Sequence, residues 1–494
     1  MGADINITYN NITTCLYGIV DYYGDSTIHY NNIYGNTYYG VYNYYGTSTI
    51  NATLNYWGDA SGPYYANGNW GNGDNISDNV DYCPWLDAPY PGGNAVSGIQ
   101  NINTGEYFCT IQDAVDAAND GDTIIVAAGT YTGAIINKSV TISGTPGVSI
   151  ITSGVPYKVG GSLETAFRLD AGADGTEIKN FTINCNASAN FYFAVFSRAI
   201  DNVTIDSLTV NDAVQGITNW GGSNWKITNN VLHDTVAAGG GGIAIFLGAL
   251  PGTTYPVCSG NLVKGNTMYS DGTEPGYTAP GICLALDARW GGYDDLTGNE
   301  DLSNNQIIDN VIIGTGNPNE VGIEVGVIGL EGNATKIANT LGIIHDNIIK
   351  GNTIDGTDLG IYFYVVTNLT IEENEIKNCN EGISIYEGFS GCSIDHNNIY
   401  DNNNYGIYNN VTSTIDAECN WWGDDSGPQH NSNPCGAGNP VSDNVDFIPW
   451  LDAPYPGGNC VGQPGVGVDD DWNYWSNSPH MWAIPDGNVG IGTD

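Results

Sequence analysis

"STIHYNNI" (residues 26–33) has a near-copy on either side, "INITYNNI" at 5–12 and "STINATLNYW" at 48–57. Ile7, Ile28 and Ile50 fall at equivalent places, 21 and 22 residues apart, and Ile371, Ile394 and Ile415 keep the same rhythm later in the chain. Within each unit a short alternating run such as "GISIY" or "GIYNN" is bounded by Asn, Gly or Asp, which reads as a strand of a few residues between turns. A strand that short cannot bury a face alone. A coil of about 20 residues stacked on the next, at about 4.8 Å per step, hides apolar side chains inside and pairs its backbone above and below. The expected fold is therefore all-β, a solenoid. Asn suits the recurring turns because it tolerates left-handed backbone and its amide can bond the same group one coil away. Gly in "YG", "EG" and "LG", before the second strand, supplies a positive φ or room for close backbone approach.

A longer period encloses the short one. "NYWGDASGP" (55–63) returns as "NWWGDDSGP" (420–428), and "SDNVDYCPWLDAPYPGGN" (77–94) as "SDNVDFIPWLDAPYPGGN" (442–459), all 365 positions apart without a gap. Each phrase follows a last coil and leads into a Pro-rich exit, so Trp57, Trp85, Trp422 and Trp450 are expected to cap a core, with Gly and Pro redirecting the chain. The expected organisation is the C-terminal coils and cap of one module (1–94), a complete second module (98–459, cap 420–459) and an acidic tail (460–494).

"TIQDAVDAANDGDTIIVAAGTY" (110–131) breaks the pattern. Ile111, Ala114, Val115 and Ala118 have helical spacing, Thr110 and Asp113 form a capping pair, and "NDGD" stops the helix before the strand "TIIVAA". A short amphipathic helix at about 110–120 is a lid over the first coil of the second module. This stretch, with coils such as "NNIYDNNNYGIY", resembles the right-handed parallel β-helix of the pectin-lyase-like superfamily, in the branch with generic β-helix repeats. The resemblance covers most of 98–459 and the later coils within 1–57. It implies a fold and not an activity, since that superfamily includes lyases, hydrolases, epimerases, phage tailspikes and inert surface proteins. The tail "VDDDWNYWSNSPHMWAIPDGNVGIGTD" resembles the stretch that precedes C-terminal assembly domains in tail-fibre-like surface proteins; read by itself it is an acidic, flexible end.

Composition agrees with strands and turns: 68 Gly, 32 Tyr against 10 Phe, only 13% charged residues and 41% hydrophobic ones. Acidic residues outnumber basic ones 54 to 11, a formal charge of −43, which argues against nucleic acid or anionic membrane as partners. No stretch is long and apolar enough to span a bilayer, and the start "MGADINITYNN" is not a secretory signal, so such a segment was removed or the numbering begins inside a longer product. The 11 Cys lack CxxC spacing, which gives zinc little support. Cys15 and Cys379 occupy matching places and are expected to face inward as small apolar fillers. Cys83 is matched by Ile448, which points to packing in place of bonding.

Three coils carry long insertions after a Gly-Ile pair, at about 243–346, and these should stack on one side of the rod. The middle insertion holds Asp287, Arg289, Trp290, Tyr293, Asp294 and Asp295. Arg289 is the candidate base of a polysaccharide lyase, Asp287, Asp294 and Asp295 are candidate catalytic acids or, for the last two, calcium ligands, and Trp290 and Tyr293 are candidate sugar-stacking rings. The bland alternative is a salt bridge from Arg289 that anchors an acidic loop. His233, His345 and His396 lie in separate coils without ligand spacing. Glycosylation sequons place Asn6, Asn11, Asn51, Asn75, Asn137, Asn180, Asn186, Asn202, Asn333, Asn368 and Asn410 as acceptors, a number that an Asn-, Ser- and Thr-rich chain reaches by chance.

The leading expectation is an extracellular or cell-surface, non-enzymatic β-solenoid that associates with itself head to tail in an array, without a cofactor. The alternative is a carbohydrate-active enzyme of the polysaccharide-lyase kind, with calcium as its cofactor, or a sugar-binding adhesin, in either case with polysaccharide as partner. A trimeric tailspike-like fibre is the third.

Overall fold

A computed structural model of the chain describes residues 5–23, 26–46, 48–233, 242–269, 279–288, 296–329 and 334–460, with two short strands in the tail. It is a right-handed parallel β-helix. Three long sheets of 14, 10 and 13 strands run through residues 99–446, and apart from short antiparallel additions at 99–101, 107–108 and 155–156 their strands pair parallel from coil to coil. Interior positions form unbroken rows. Ile142, Ile178, Ile205, Ile227, Val263, Ile307, Ile349, Ile371 and Ile394 adjoin in one sheet. Ile183, Val210, Leu232, Met268, Ile312, Ile354, Ile376 and Ile399 do so in the second. All are at most 2% exposed, so each coil buries what its neighbour buries, and β-branched side chains suit a pleated wall packed on one face.

The earlier coils repeat this on a small scale. Ile7 pairs with Ile28, Ile12 with Ile33, and Ile19 with Val41. Ile28, Ile33, Val41, Ile50, Trp57 and Trp85 form a core separate from that of residues 99–450. At the third coil the ladder steps by one, Thr27 pairing with Asn51 and, equivalently, Ser393 with Asp416.

Buried Asn side chains run along the turns. Asn230 Nδ2 donates to Asn266 Oδ1, Asn266 to Asn310, Asn310 to Asn352, Asn352 to Asn374, Asn374 to Asn397 and Asn397 to Asn420, at 2.9–3.0 Å. Each receiving oxygen also accepts the backbone N–H of the donating residue. The row ends at Asn420, whose amide turns back to the carbonyls of Ile394 and Ala417. In the first core Asn31 donates to Asn55, which turns back to Ile28 and Ala52. The left-handed backbone falls one residue earlier, at Asn229, Asp309, Glu373, His396 and Cys419. Gly before the second strand provides the close approach and not a positive φ: a Cβ on Gly360 would stand 2.3 Å from the Gly382 carbonyl oxygen.

The lid helix is Ile111–Ala117, with the Thr110 hydroxyl accepting from the Asp113 N–H at 3.0 Å. Ile111, Ala114 and Val115 point into the core. Beside the lid, the Thr130 N–H donates to the Gly68 carbonyl at 2.6 Å, and Asn69 bridges Gly129, so the first cap leans on the start of the second stack. Cys83 is bonded to Cys109, contrary to the packing role read from its match with Ile448: its partner lies outside the repeat, where comparing the copies cannot see it. Cys419 is likewise bonded to Cys460. Cys379 is buried but Cys15 is exposed, because Cys379 has Thr357 on one side and Asn402 on the other, whereas Cys15 meets a neighbouring coil through Asn36 and Thr37 alone among the described residues. In the tail, read as flexible, Met481–Ala483 and Val489–Ile491 pair antiparallel.

Candidate functional site

The insertions do leave the stack at one turn, after the strands Ile243–Ala249, Ala279–Asp287 and Glu320–Ile328. The last of them forms a helix, Ala334–Thr340, that the sequence pattern did not indicate. Asp287 ends its strand at 2% exposure. Arg289, Trp290, Tyr293, Asp294 and Asp295, the rest of the candidate catalytic, stacking and calcium-binding set, lie outside the described residues, as does Asn333. Among the described residues no group of three or more His, Cys, Asp or Glu is placed to hold a metal ion.

On the outer face of the third sheet, next to these insertions, Cys283, Glu324, Tyr362 and Ser384 are register neighbours on four strands. Glu324 is 5% exposed and accepts from the Tyr364 hydroxyl at 2.7 Å. Burial and the Glu324 carboxylate hold the Tyr364 hydroxyl well above the usual phenol range, so it stays protonated as a donor. Its ring lies across Gly326, where a Cβ would come within 2.5 Å of it. The arrangement is a packed polar knot.

From this knot a file of tyrosines runs toward the C-terminal end. Tyr362 and Tyr386 have ring centroids 5.5 Å apart, Tyr386 and Tyr408 5.9 Å, and Tyr405 and Tyr408 5.2 Å with planes at 37°. The file ends in an open cleft of about 650 Å³ walled by Tyr405, Tyr408, His430 and Asp443. The earlier coils hold the same cleft, about 660 Å³, walled by Tyr39, Tyr42, Tyr65 and Asp78. There Tyr39 and Tyr42 stand 4.9 Å apart at 36°, and Tyr17 lies 5.5 Å beyond Tyr42.

The two clefts are built alike from the backbone outward. Asn43 Nδ2 donates to the carbonyls of Ser48 and Asn79, and its N–H to Ser77 Oγ; Asn409 repeats this with Ser413, Asn444 and Ser442. These Asn are scaffold, since their donors are used internally. Asn69 and Asn433 tie down the opposite wall through the carbonyls of Ser61 and Pro63, and of Ser426 and Pro428. Where Tyr65 donates to Asp78 at 3.0 Å, His430 Nε2 stands 3.3 Å from Asp443; burial, then the Asp78 carboxylate, raises the Tyr65 hydroxyl above its ordinary value. What remains for a ligand is ring faces, phenol hydroxyls, carboxylate oxygens and, in the later cleft, the side-chain amides of Gln429 and Asn431. Reading by motif missed these clefts, although "YGVYN" (39–43) and "YGIYN" (405–409) carry the signal.

The remaining candidates sit as follows. Trp57 and Trp422 are 0% exposed, Trp85 and Trp450 3% and 7%, so none presents a face to a sugar. Trp85 and Trp450 donate to the carbonyls of Ala60 and Asp425, and Gly62 and Gly427 sit against their rings. Of the described sequon asparagines Asn180 is half-buried and the others are exposed. His233 stacks on Tyr269, His345 contacts Asp301 and Asp346, and His396 contacts Asp395.

The family description "Right handed beta helix region" matches residues 287–421. Among solved structures, the chain is similar to the A-module of the Azotobacter vinelandii mannuronan C-5 epimerase AlgE6, at 15% identity and a TM-score of 0.46, covering 68% of this chain and 93% of that one. It is also similar to an alginate lyase from Paenibacillus sp. str. FPU-7, at 17%, 0.42, 68% and 96%, and to a tailspike protein mutant of E. coli bacteriophage HK620, at 14%, 0.42, 68% and 68%. These are likenesses of fold alone. No curated protein sequence matches the chain.

Proposed function

We propose that the chain is a glycan-binding β-solenoid, a rod of stacked coils that holds a polysaccharide against tyrosine-lined clefts. One observation carries the reading: the same cleft is built twice, with Tyr39 and Tyr42 in one copy and Tyr405 and Tyr408 in the other, on the same Asn-pinned frame. Packing alone does not require this, because the rings flank the core and Tyr44 and Tyr45 beside them are 51% and 59% exposed. Ring faces bordered by hydroxyl and carboxylate oxygens suit a sugar, whose C–H faces are apolar and whose rim is polar. Two such sites on one chain gain avidity on a polymer that neither would have alone. An extracellular setting is part of the proposal, supported by two disulfides, which fit an oxidising compartment. Affinity electrophoresis through gels containing soluble polysaccharides tests the reading. Retardation by at least one polymer, weakened about tenfold in Tyr405→Ala/Tyr408→Ala as expected for buried aromatic contacts, supports it; unaltered mobility in every gel refutes it.

A second reading, a structural array of end-to-end modules, is favoured by the junction between the two cores, where a disulfide and backbone hydrogen bonds join a cap to the segments on either side of the following lid. The two readings are compatible in one molecule.

A further inference from the structure

We infer that the glycan held in the two clefts is uncharged, a neutral polysaccharide and not a polyuronate. The inference rests on the reading of the clefts as glycan sites and narrows it to a chemical class.

Neither cleft has a lysine or an arginine among its described lining residues, and each carries one carboxylate, Asp78 or Asp443. Asp443 has 85% of its side chain exposed and pairs, among the described residues, with His430. In the other cleft Tyr65 and Asn67 share one Asp78 oxygen. The sites therefore carry a carboxylate with no lysine or arginine to set against it. A carboxylate accepts hydrogen bonds and donates none, so the group it meets on a ligand must be a donor, and sugar hydroxyls are donors. A uronate would instead set a second negative charge against the first. At about 6 Å that repulsion weakens binding a few-fold in a water-like medium and about a hundredfold in a partly desolvated one. The field of the whole chain has the same sign, with 54 acidic residues against 11 basic ones, so a polyanion would be repelled before contact as well.

The basic residues among the described ones line neither cleft, and several are held by carboxylates. Lys350 is held by Glu372 and Glu373, Lys377 by Glu375, and Arg168 by Asp170. The tyrosines complete the argument. No phenol hydrogen bond is made by Tyr39, Tyr42 or Tyr405 within the described residues, and Tyr408 reaches only the exposed Asn410, at 3.3 Å. Paired rings with free hydroxyls offer stacking that is indifferent to charge, together with polar contacts that read hydroxyl groups.

The test is isothermal titration of the full chain, in a chelator-containing buffer at low and at about 0.15 M salt. The probes are soluble neutral polymers (glucans, mannans, galactans and xylans), two polyuronates (alginate and polygalacturonate) and the cationic polymer chitosan. At least one neutral polymer should bind ten times more tightly than either polyuronate, with little change across the salt range, and Asp443→Asn should narrow that gap. Tighter binding of a polyuronate overturns the inference while leaving glycan binding intact, and so does binding of chitosan alone. Binding of no polymer overturns both. If Tyr405→Ala/Tyr408→Ala lowers expression, the milder Tyr405→Phe/Tyr408→Phe keeps the rings and should lose a few-fold through the hydroxyls.

Discussion

Replacing Asn352 with Ala should cost about 2–6 kcal/mol, the price of stranding two buried donors at about 1–3 kcal/mol each. Asn352 is fully buried. Its Oδ1 accepts from the Asn310 backbone N–H at 2.9 Å and from Asn310 Nδ2 at 2.9 Å. Removing it leaves that backbone N–H and one amide hydrogen of Asn310 unmatched, although Asn310 Nδ2 keeps its bond to the Val263 carbonyl. On the other side Asn374 Oδ1 still accepts the backbone N–H of residue 352, and the carbonyls of Ile307 and Lys350 each lose one donor. Because a solenoid coil touches only its neighbours, the damage should stay local. Urea denaturation measures the total, and hydrogen exchange followed by mass spectrometry locates it: amides near Asn310 and Asn352 should exchange faster, those near Ile178 should not. Asn404→Ala is the control, because Asn404 is exposed and its side chain makes one bond across the coils among the described residues, to Asn380 Oδ1, while its backbone bond to the Asn380 carbonyl survives the change; it should stay within about 0.5 kcal/mol. A loss below about 1 kcal/mol in Asn352→Ala, with exchange unchanged, would refute the claim that the amide row holds the turns.

The capping tryptophans should separate shape from hydrogen bonding: the Trp422 indole N–H has no hydrogen-bond partner among the described residues, so Trp422→Phe should cost far less than the roughly 3–5 kcal/mol expected of Trp422→Ala, as melting curves will report. Asp74 takes the place that Asn439 has in the later copy. Burial pushes its carboxyl above the ordinary value, so the folded state binds the proton more tightly and stability falls as pH rises from the ordinary value through the raised one. Asp74→Asn should abolish that fall and be the more stable protein at neutral pH; an equal or lower melting point there would contradict the assignment. The Cys83–Cys109 bond closes a separation of 26 residues, worth about 3.5 kcal/mol in the chain-entropy estimate. Its double Ser variant should be nicked by protease between residues 84 and 108 faster than the parent.

The rod itself was legible because its signals are local and periodic. Ile28, Ile371 and Ile394 recur at the coil length, and Thr110 with Asp113 marks a helix start within a single turn. The Cys83 pairing was not, because a bond to Cys109 joins two kinds of element and leaves no trace in the comparison of Cys83 with Ile448. Cys15 and Cys379 share a slot in the pattern but not the coils on both sides that decide burial. Residues 287–295 stand out in the sequence because chemistry-bearing residue types are concentrated in one loop. The clefts draw on Tyr405, His430 and Asp443, three segments that come together only when the last strand and the cap fold against each other, so spacing along the chain could not announce them.

The amide row has a direction. Every side chain from Asn230 to Asn397 hands its hydrogen to the next, so their dipoles add along the axis like cells in series, and such a series would invite one more member at its leading end. Asn420 and Asn55 spend their hydrogens on carbonyls already inside the stack, which leaves no amide hydrogen directed outward to recruit a stray coil. The polarity that knits the rod together is thereby earthed at each cap, which protects a protein made of repeating edges from open-ended growth.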